Sequence, residues 1–324
     1  MVIAMSGEKI ANIKEIKSIK LTSFTLMASF TGAILAFVYA LIILIISGIL
    51  PAFVPQLGAF REIINGLGLV SVIILPISAY FLVMIAGFFC ALLYNIISSR
   101  IGGISLELDG NEIIRIPMLQ FSIILGSIEA VWAFIIGLFL AAAIIPFTGI
   151  ISTLIHFIAR NIISTVDITG VTLLIDTVLG TNGFKLAAIL IIGFPVIIFV
   201  FGVVSNVLFA IFYNYVATKF IKIQLDLEQI SGTLYKIKSL PVVPSAAPVS
   251  GAVFGAFGVI MGLISLLSLA VTGNPSVGSL TNDLAVLIIN GLSYFIGYFL
   301  IFALISVIYN FLAPRIGGIK LDLK

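Results

Sequence analysis

One short pattern recurs three times along this chain and restricts it to architectures built from repeated units. Tyr94-Asn95, four residues, then Arg100-Ile101-Gly102-Gly103-Ile104-Ser105-Leu106-Glu107-Leu108 closes the first third. Tyr309-Asn310 and Arg315-Ile316-Gly317-Gly318-Ile319-Lys320-Leu321-Asp322-Leu323 repeat it at the end of the sequence. Between them stands a divergent copy, Tyr213-Asn214 followed by Lys219-Phe220-Ile221-Lys222-Ile223-Gln224-Leu225-Asp226-Leu227. A helix-perturbing residue, Pro76, Pro195 or Gly291, precedes each tyrosine by 18 residues. Units repeating in register pack on their like neighbours, so the repeat precedes any reading of the fold.

Each copy reads as the end of a membrane helix followed by a strand. The apolar run stops at Tyr-Asn, an amphipathic ring and an amide that suit the headgroup level. Arg100, Lys219 or Arg315 then places a cation at the negative end of the helix dipole. Gly102-Gly103 and Gly317-Gly318 can supply the left-handed residue that closes a helix. Ile-x-Leu-x-Leu alternates with period two, which predicts a half-buried strand. The middle copy carries Ile221 and Lys222 in place of the glycines, so its helix must end by other chemistry. A plain membrane-exit signal would account for each copy alone, but not for the strand that follows all three.

Composition sets the class. Hydrophobic residues make up 61% of the 324 and charged residues 9%, where soluble domains carry about 25% charge. With a mean hydropathy of +1.33, the chain is expected to be an all-α polytopic membrane protein. About 20 apolar residues cross the hydrocarbon, which places six transmembrane helices near 24–50, 67–97, 119–146, 186–216, 248–272 and 283–312. The first apolar run is too long for a cleaved signal peptide and reads as a retained span. The one cysteine, Cys90, excludes an internal disulfide and a cysteine metal cluster. A formal charge of +3 points to no nucleic-acid partner.

Charge asymmetry orients the spans. Thirteen of the 16 cations (Lys9, Lys14, Lys17, Lys20, Arg100, Arg115, Lys219, Lys222, Lys236, Lys238, Arg315, Lys320 and Lys324) fall on the side of both termini, and Arg61, Arg160 and Lys185 on the other. By the positive-inside rule both termini and every Tyr-Asn pair are cytoplasmic, in the cell membrane. On the outer side, 57–67, 150–163 and 171–179 are apolar enough to lie along the interface but too short to span. His156 and Arg160, four apart in the second of these, read as an interfacial polar edge. The third outer loop, 272–283, is rich in Gly, Asn, Pro and Ser and reads as a turn.

The cytoplasmic connections predict strands. Asp109-Gly110-Asn111 is a hairpin signal, beyond which Ile114-Arg115-Ile116 resumes the alternation. Ile223–Leu227, Ser231-Gly232 and Tyr235-Lys236-Ile237-Lys238 repeat that design, and Ser18–Leu21 and Ile319–Leu323 supply terminal strands that pair with each other. The expected organisation is three strand–helix–helix–strand repeats, 13–109, 110–228 and 229–324. They have pseudo-threefold symmetry about an axis normal to the membrane, and their short strands form a cytoplasmic collar. Small residues recur every four along the first helices: Ala28, Gly32, Ala36; Ser122, Gly126, Ala130; Gly251, Gly255, with Gly258 and Gly262 one stripe over. Such stripes permit close backbone contact in lipid, and are read as packing the first helices on one another.

A basic residue, two spans, Tyr-Asn, Gly-Gly-Ile and an alternating strand together resemble the bacterial transmembrane domain-of-unknown-function family numbered 3566. The resemblance covers nearly the whole chain three times over, and the middle copy departs from it in lacking the glycines. It implies a two-span unit, typically one per chain, and no activity, cofactor or substrate.

No phosphate loop, metal-ligand spacing or nucleophile–base pair is present, and the single histidine forecloses most triads. No enzyme activity and no cofactor are expected. Glu129 alone stands inside a span, about mid-depth of the third, where an ionisable residue is costly and a functional candidate. Asn206, Asn290 and the motif asparagines are its candidate partners. Two readings result: a non-catalytic scaffold or accessory subunit of a membrane complex, presenting its strands to other membrane or cytoplasmic proteins, and a channel or carrier for a small ion or solute using Glu129.

Overall fold

The structure, a computed structural model, describes residues 12–53, 61–147, 153, 183–242, 247–272 and 277–324. The outer segments 150–163 (apart from 153) and 171–179, with His156 and Arg160, lie outside them, as do Lys9 and residues 57–60. In chain order the elements are β1 (Asn12–Ile19), α1 (Leu21–Phe53), α2 (Arg61–Ile101), β2 (Ile104–Asp109), β3 (Glu112–Arg115) and α3 (Met118–Ile144). Next come α4 (Gly183–Ala188), α5 (Phe194–Tyr215), β4 (Asp226–Ser231), β5 (Leu234–Ser239), α6 (Ala247–Thr272), α7 (Val277–Ile316) and β6 (Lys320–Leu323).

Among the described residues, five stretches are long and apolar enough to cross a membrane: Leu21–Ile49, Asn65–Ile101, Met118–Phe147, Lys185–Lys219 and Leu287–Ile316. The fifth expected span, 248–272, is helix α6 of 26 residues, and its described apolar part is Ala247–Ile260. At 41 and 40 residues, α2 and α7 run well past the expected 67–97 and 283–312. The fourth stretch is not uniform, because a π-helical turn, Ile189–Gly193, separates α4 from α5. It directly precedes Pro195, whose ring and missing N–H disturb the i→i−4 ladder there.

The chain forms two compact units, Met1–Gln120 with Phe209–Lys324, and Phe121–Leu208. All six strands belong to the first. They form one antiparallel sheet in the order β3-β2-β1-β6-β5-β4. The expected meeting of the terminal strands is present: Ile19 pairs with Leu321 and Ile16 with Leu323. The first strand runs from Asn12 to Ile19 rather than over Ser18–Leu21, because Leu21 already opens α1. The extra length pairs β1 with β2, from Asn12 opposite Leu108 to Ile16 opposite Ile104. Likewise β5 pairs with β6. Beyond β3, Ile113 N–H donates to Ile223 O and Leu225 N–H to Asn111 O, both at 2.8 Å, with a bridge between Glu112 and Gln224. Residues 223–225 lead directly into β4, so the hydrogen-bond circuit of the sheet returns on itself.

Both expected hairpins are present, turning at Gly110 (φ 62°) and Gly232 (φ 51°), left-handed values that glycine adopts without strain. The alternating apolar side of the strands is buried: Ile104, Leu108, Ile113, Ile237, Leu321 and Leu323. Ile237, Leu321 and Leu323 pack with Met27, Ile308, Tyr309 and Leu312 of the helices, so this side of the sheet rests on the helix ends.

The glycine stripes work differently from the expectation. In the first unit α1 packs along α2, and a Cβ on Gly32 would lie 2.8 Å from Val83. Along α6, Cβ atoms on Gly251, Gly255, Gly258 and Gly262 would all press on α7, at Phe295, Tyr294 and Leu287. In the second unit Gly126 abuts Val203, and Gly137 the carbonyl of Leu190. These stripes therefore seat each first helix on the second helix of its own pair. Large side chains opposite, Val83, Val203 and Phe295, take the space that the missing side chains leave.

Candidate functional site

The motif tyrosines and asparagines converge on the strands. Tyr94 Oη donates to Ile16 O at 2.6 Å and accepts from Ile104 N–H at 3.3 Å. Tyr213 Oη donates to Ile113 O at 2.5 Å and accepts from Ile223 N–H at 3.0 Å. Tyr309 Oη donates to Ile237 O at 2.7 Å and accepts from Ile319 N–H at 3.0 Å. Each hydroxyl thus joins the strand before the first helix to the strand after the second. The residues are 4%, 0% and 3% exposed, so each ring is enclosed by the protein itself. A tyrosine buried at a helix end satisfies its O–H with a partner, and here backbone groups supply it.

The next residue clamps three positions further along the first strand. Asn95 Oδ1 accepts from Ile19 N–H at 2.8 Å while its Nδ2 donates to Ile19 O at 2.9 Å. Asn214 grips Ile116 in the same way, at 2.9 and 2.8 Å, and Asn310 grips Leu240 at 2.7 and 2.8 Å. Each amide therefore occupies both polar groups of a residue at the end of the strand or just past it, where those groups are not used by the sheet. Leu, Asp or Ala in this place lacks one or both halves of the pair. The clamped residues Ile16/Ile19, Ile113/Ile116 and Ile237/Leu240 are spaced alike, and that apolar pair is the sequence signal for the other half of the clamp.

The glycine pair lets the strands approach. Gly102 and Gly317 have φ +86°, and a Cβ on Gly103 or Gly318 would sit 2.0 Å from Ile16 O or 2.1 Å from Ile237 O. Those carbonyls are the ones that Tyr94 and Tyr309 bind. The middle copy ends its helix at Tyr215 with Val216 at φ −115° and a 3₁₀ turn, Ala217–Lys219, which needs no left-handed residue. Its Lys222 donates through Nζ to Glu112 Oε2 at 2.9 Å, and that bond holds the Glu112 carboxyl below its ordinary range. A lowered carboxyl pKa makes the bridge present at neutral pH and lost as pH falls through the lowered range. The motif cations are helix-end groups: Arg100 and Lys219 lie in last turns, and Arg315 donates to Phe311 O and lies over its ring.

Glu129 lies in the second unit, on α3. Asn206 Nδ2 of α5 donates to its Oε1 at 3.3 Å, one of the candidate partnerships read from sequence. Gly202, one turn before Asn206, makes room for the carboxyl: a Cβ there would lie 1.9 Å from Glu129 Oε2. Glu129 is exposed in the protein. Among the described residues no group of three or more His, Cys, Asp or Glu could hold a metal ion.

No protein-family model, curated protein or solved structure matches the chain.

What these residues do chemically therefore rests on their geometry alone. Glu129→Gln keeps the oxygen that accepts from Asn206, so it is expected to change folding stability by less than about 0.5 kcal/mol. Gly202→Ala puts a methyl against the carboxyl, which ends a flexible, exposed side chain and can turn aside at the expense of the Asn206 bond, so the expected cost is about 1 kcal/mol. Thermal unfolding of both variants in one detergent checks the pair; a large loss from Glu129→Gln would mean that the charge itself is required.

Proposed function

We propose that this chain is a non-catalytic multi-pass scaffold or accessory subunit of a membrane complex, which offers a closed collar of strands to its partner at the cytoplasmic face. The observation that carries the reading is the set of three Tyr-Asn clamps: the polar residues that the three copies share are spent on holding strands to helix ends, and none is left as a reactive group. Three repeats, 13–109, 110–228 and 229–324, with α6 as a sixth span, arrange about a pseudo-threefold axis normal to the membrane. The returning hydrogen-bond circuit supports closure, and closure removes the exposed strand edges that invite aggregation. The chain carries no cofactor and catalyses no reaction in this reading. The resemblance to the family numbered 3566 fits the same geometry, since three chains of one unit each would complete one collar; single-unit relatives are expected to be trimers.

Two measurements test this. Purification from membranes in mild detergent is expected to bring down a partner in fixed stoichiometry; a chain that purifies alone and conducts a selective flux lost in Glu129→Gln would replace the scaffold by a carrier. That second reading is favoured by one observation, an exposed intramembrane carboxyl with an amide partner. Single cysteines introduced into a Cys90→Ala background at 98–118 and 217–246 are expected to label only after the membrane is opened from the cytoplasmic side. Labelling of either connection from outside intact cells would invert the topology.

A further inference from the structure

A cavity of about 420 Å³ opens beside the start of α1 and the end of α7, lined by Lys20, Thr22, Ser23, Gly317, Gly318 and Lys320 among others. Lys20 immediately precedes the apolar stretch Leu21–Ile49, and Ile316, also on the wall, ends the stretch Leu287–Ile316. The cavity therefore lies at the level where two spanning helices begin and end. Among the described residues its lining includes two lysines, a threonine and a serine, and no Asp or Glu. The first turn of α1 carries no acidic residue to offset the positive end of its dipole. Ser23 ties the walls together, donating to Lys20 O and accepting from Lys320 N–H, both at 3.0 Å.

The other two copies reveal that the fold does not need these lysines. The residue after each Asn-clamped position is Lys20 in the first copy but Pro117 and Pro241 in the others, and the residue after each Tyr-bonded isoleucine is Lys320 in the third copy but Ser105 and Gln224 in the others. One junction out of three is thus cationic. The glycine amide gives a second sign. In the first copy Gly103 N–H donates to Glu15 Oε1 at 2.7 Å, whereas the place matching Glu15 beside Gly318 is taken by Lys236. The third copy therefore lacks the carboxylate that caps the glycine amide in the first; Lys236 lies outside the lining and is paired with Glu228 Oε2 at 3.0 Å.

We propose that this cavity binds a phosphate group, and that the phosphate is the headgroup of an anionic phospholipid. Basic pockets at the ends of spanning helices meet lipid phosphates at this depth, and each lysine near the surface strengthens the attraction. Ser23 has spent its one proton on Lys20 O, but the two ammonium groups, the Thr22 hydroxyl and the N-terminus of α1 together make the donor set that a phosphate monoester or diester needs.

The test uses the full chain, purified and exchanged into nanodiscs of phosphatidylcholine with or without phosphatidylglycerol, with bound lipid counted by native mass spectrometry. One phosphatidylglycerol per chain is expected to be retained in preference to phosphatidylcholine. Lys20→Gln with Lys320→Ser, the latter the residue of the first copy, is expected to weaken that preference roughly 30-fold. Lys20→Arg with Lys320→Arg keeps it, and so does removal of two cations outside the cavity by Lys17→Gln with Lys238→Gln. Inorganic phosphate is titrated separately against the apo protein by calorimetry; lysine-dependent binding of that ion without lipid selectivity would keep the phosphate site and overturn the lipid source. Lipid retention that Lys20→Gln/Lys320→Ser leaves unchanged, at an unaltered unfolding temperature, would overturn the site. Should that variant not fold, single Lys320→Ser carries the same comparison, with an expected loss of about fivefold.

Discussion

Tyr213→Phe is expected to destabilise the protein by about 2–5 kcal/mol, one of the two largest effects of any single substitution considered. The variant removes one oxygen and with it two bonds, the donation to Ile113 O and the acceptance from Ile223 N–H. The ring is fully buried, so water does not replace the lost partner. A buried backbone group left without one costs about 1–3 kcal/mol, and here a carbonyl and an amide are both affected. That loss is a large share of a typical folding free energy of about 5–15 kcal/mol. It should appear as a lowered unfolding temperature in detergent and as faster amide exchange over 111–116 and 223–227. Tyr39→Phe is the control, because that ring is 60% exposed, and it should change little. An unfolding temperature for Tyr213→Phe equal to that of the unaltered chain would show that the hydroxyl is not what joins these strands.

Gly318→Ala and Gly103→Ala are expected to be at least as damaging, at about 3 kcal/mol or more, by a steric route. The added methyl would stand 2.1 Å from Ile237 O in one and 2.0 Å from Ile16 O in the other. Those atoms are backbone, so no side chain can swing away to relieve the overlap. The strand pair must separate, and the tyrosine bond to the same carbonyl goes with it. Gly66 and Gly193 have nothing within 4 Å of such a methyl, and Gly66→Ala and Gly193→Ala should fall within about 0.5 kcal/mol of neutral. The yield of monodisperse protein, followed by thermal unfolding, measures both classes. Full yield from Gly318→Ala would mean that the strand lies further from α7 than the structure places it.

The two variants probe one joint from opposite sides. Tyr213→Phe tests the polar bond in the copy without glycines, and Gly318→Ala tests the close approach in a copy that has them. The middle copy tolerates Lys222 because its chain leaves the helix through a 3₁₀ turn and takes another path to the strand. The tyrosine and asparagine bonds persist in all three copies although the helix ends differ. The clamp is therefore the common device, and the glycines are one way of reaching it.

Membrane-spanning helices, the positions of both hairpins and the meeting of the two terminal strands were legible in the sequence, because hydropathy, turn residues and period-two alternation are local signals. The recurrence of Tyr-Asn was legible too, and so was the need for a different helix end around Ile221. Asn206 as a partner of Glu129 followed from the scarcity of polar groups within the spans. What a one-dimensional pattern cannot carry is which backbone atom a side chain meets 70 to 100 residues away. Only the tertiary structure showed Tyr94, Tyr213 and Tyr309 to be buried joints between strands. It also directed the glycine stripes toward the second helix of each pair, since a stripe records the capacity for close contact and not the identity of the neighbour. The pairing of β1 with β2 and of β5 with β6 was decided there as well, because register over such separations depends on where the intervening helices return the chain.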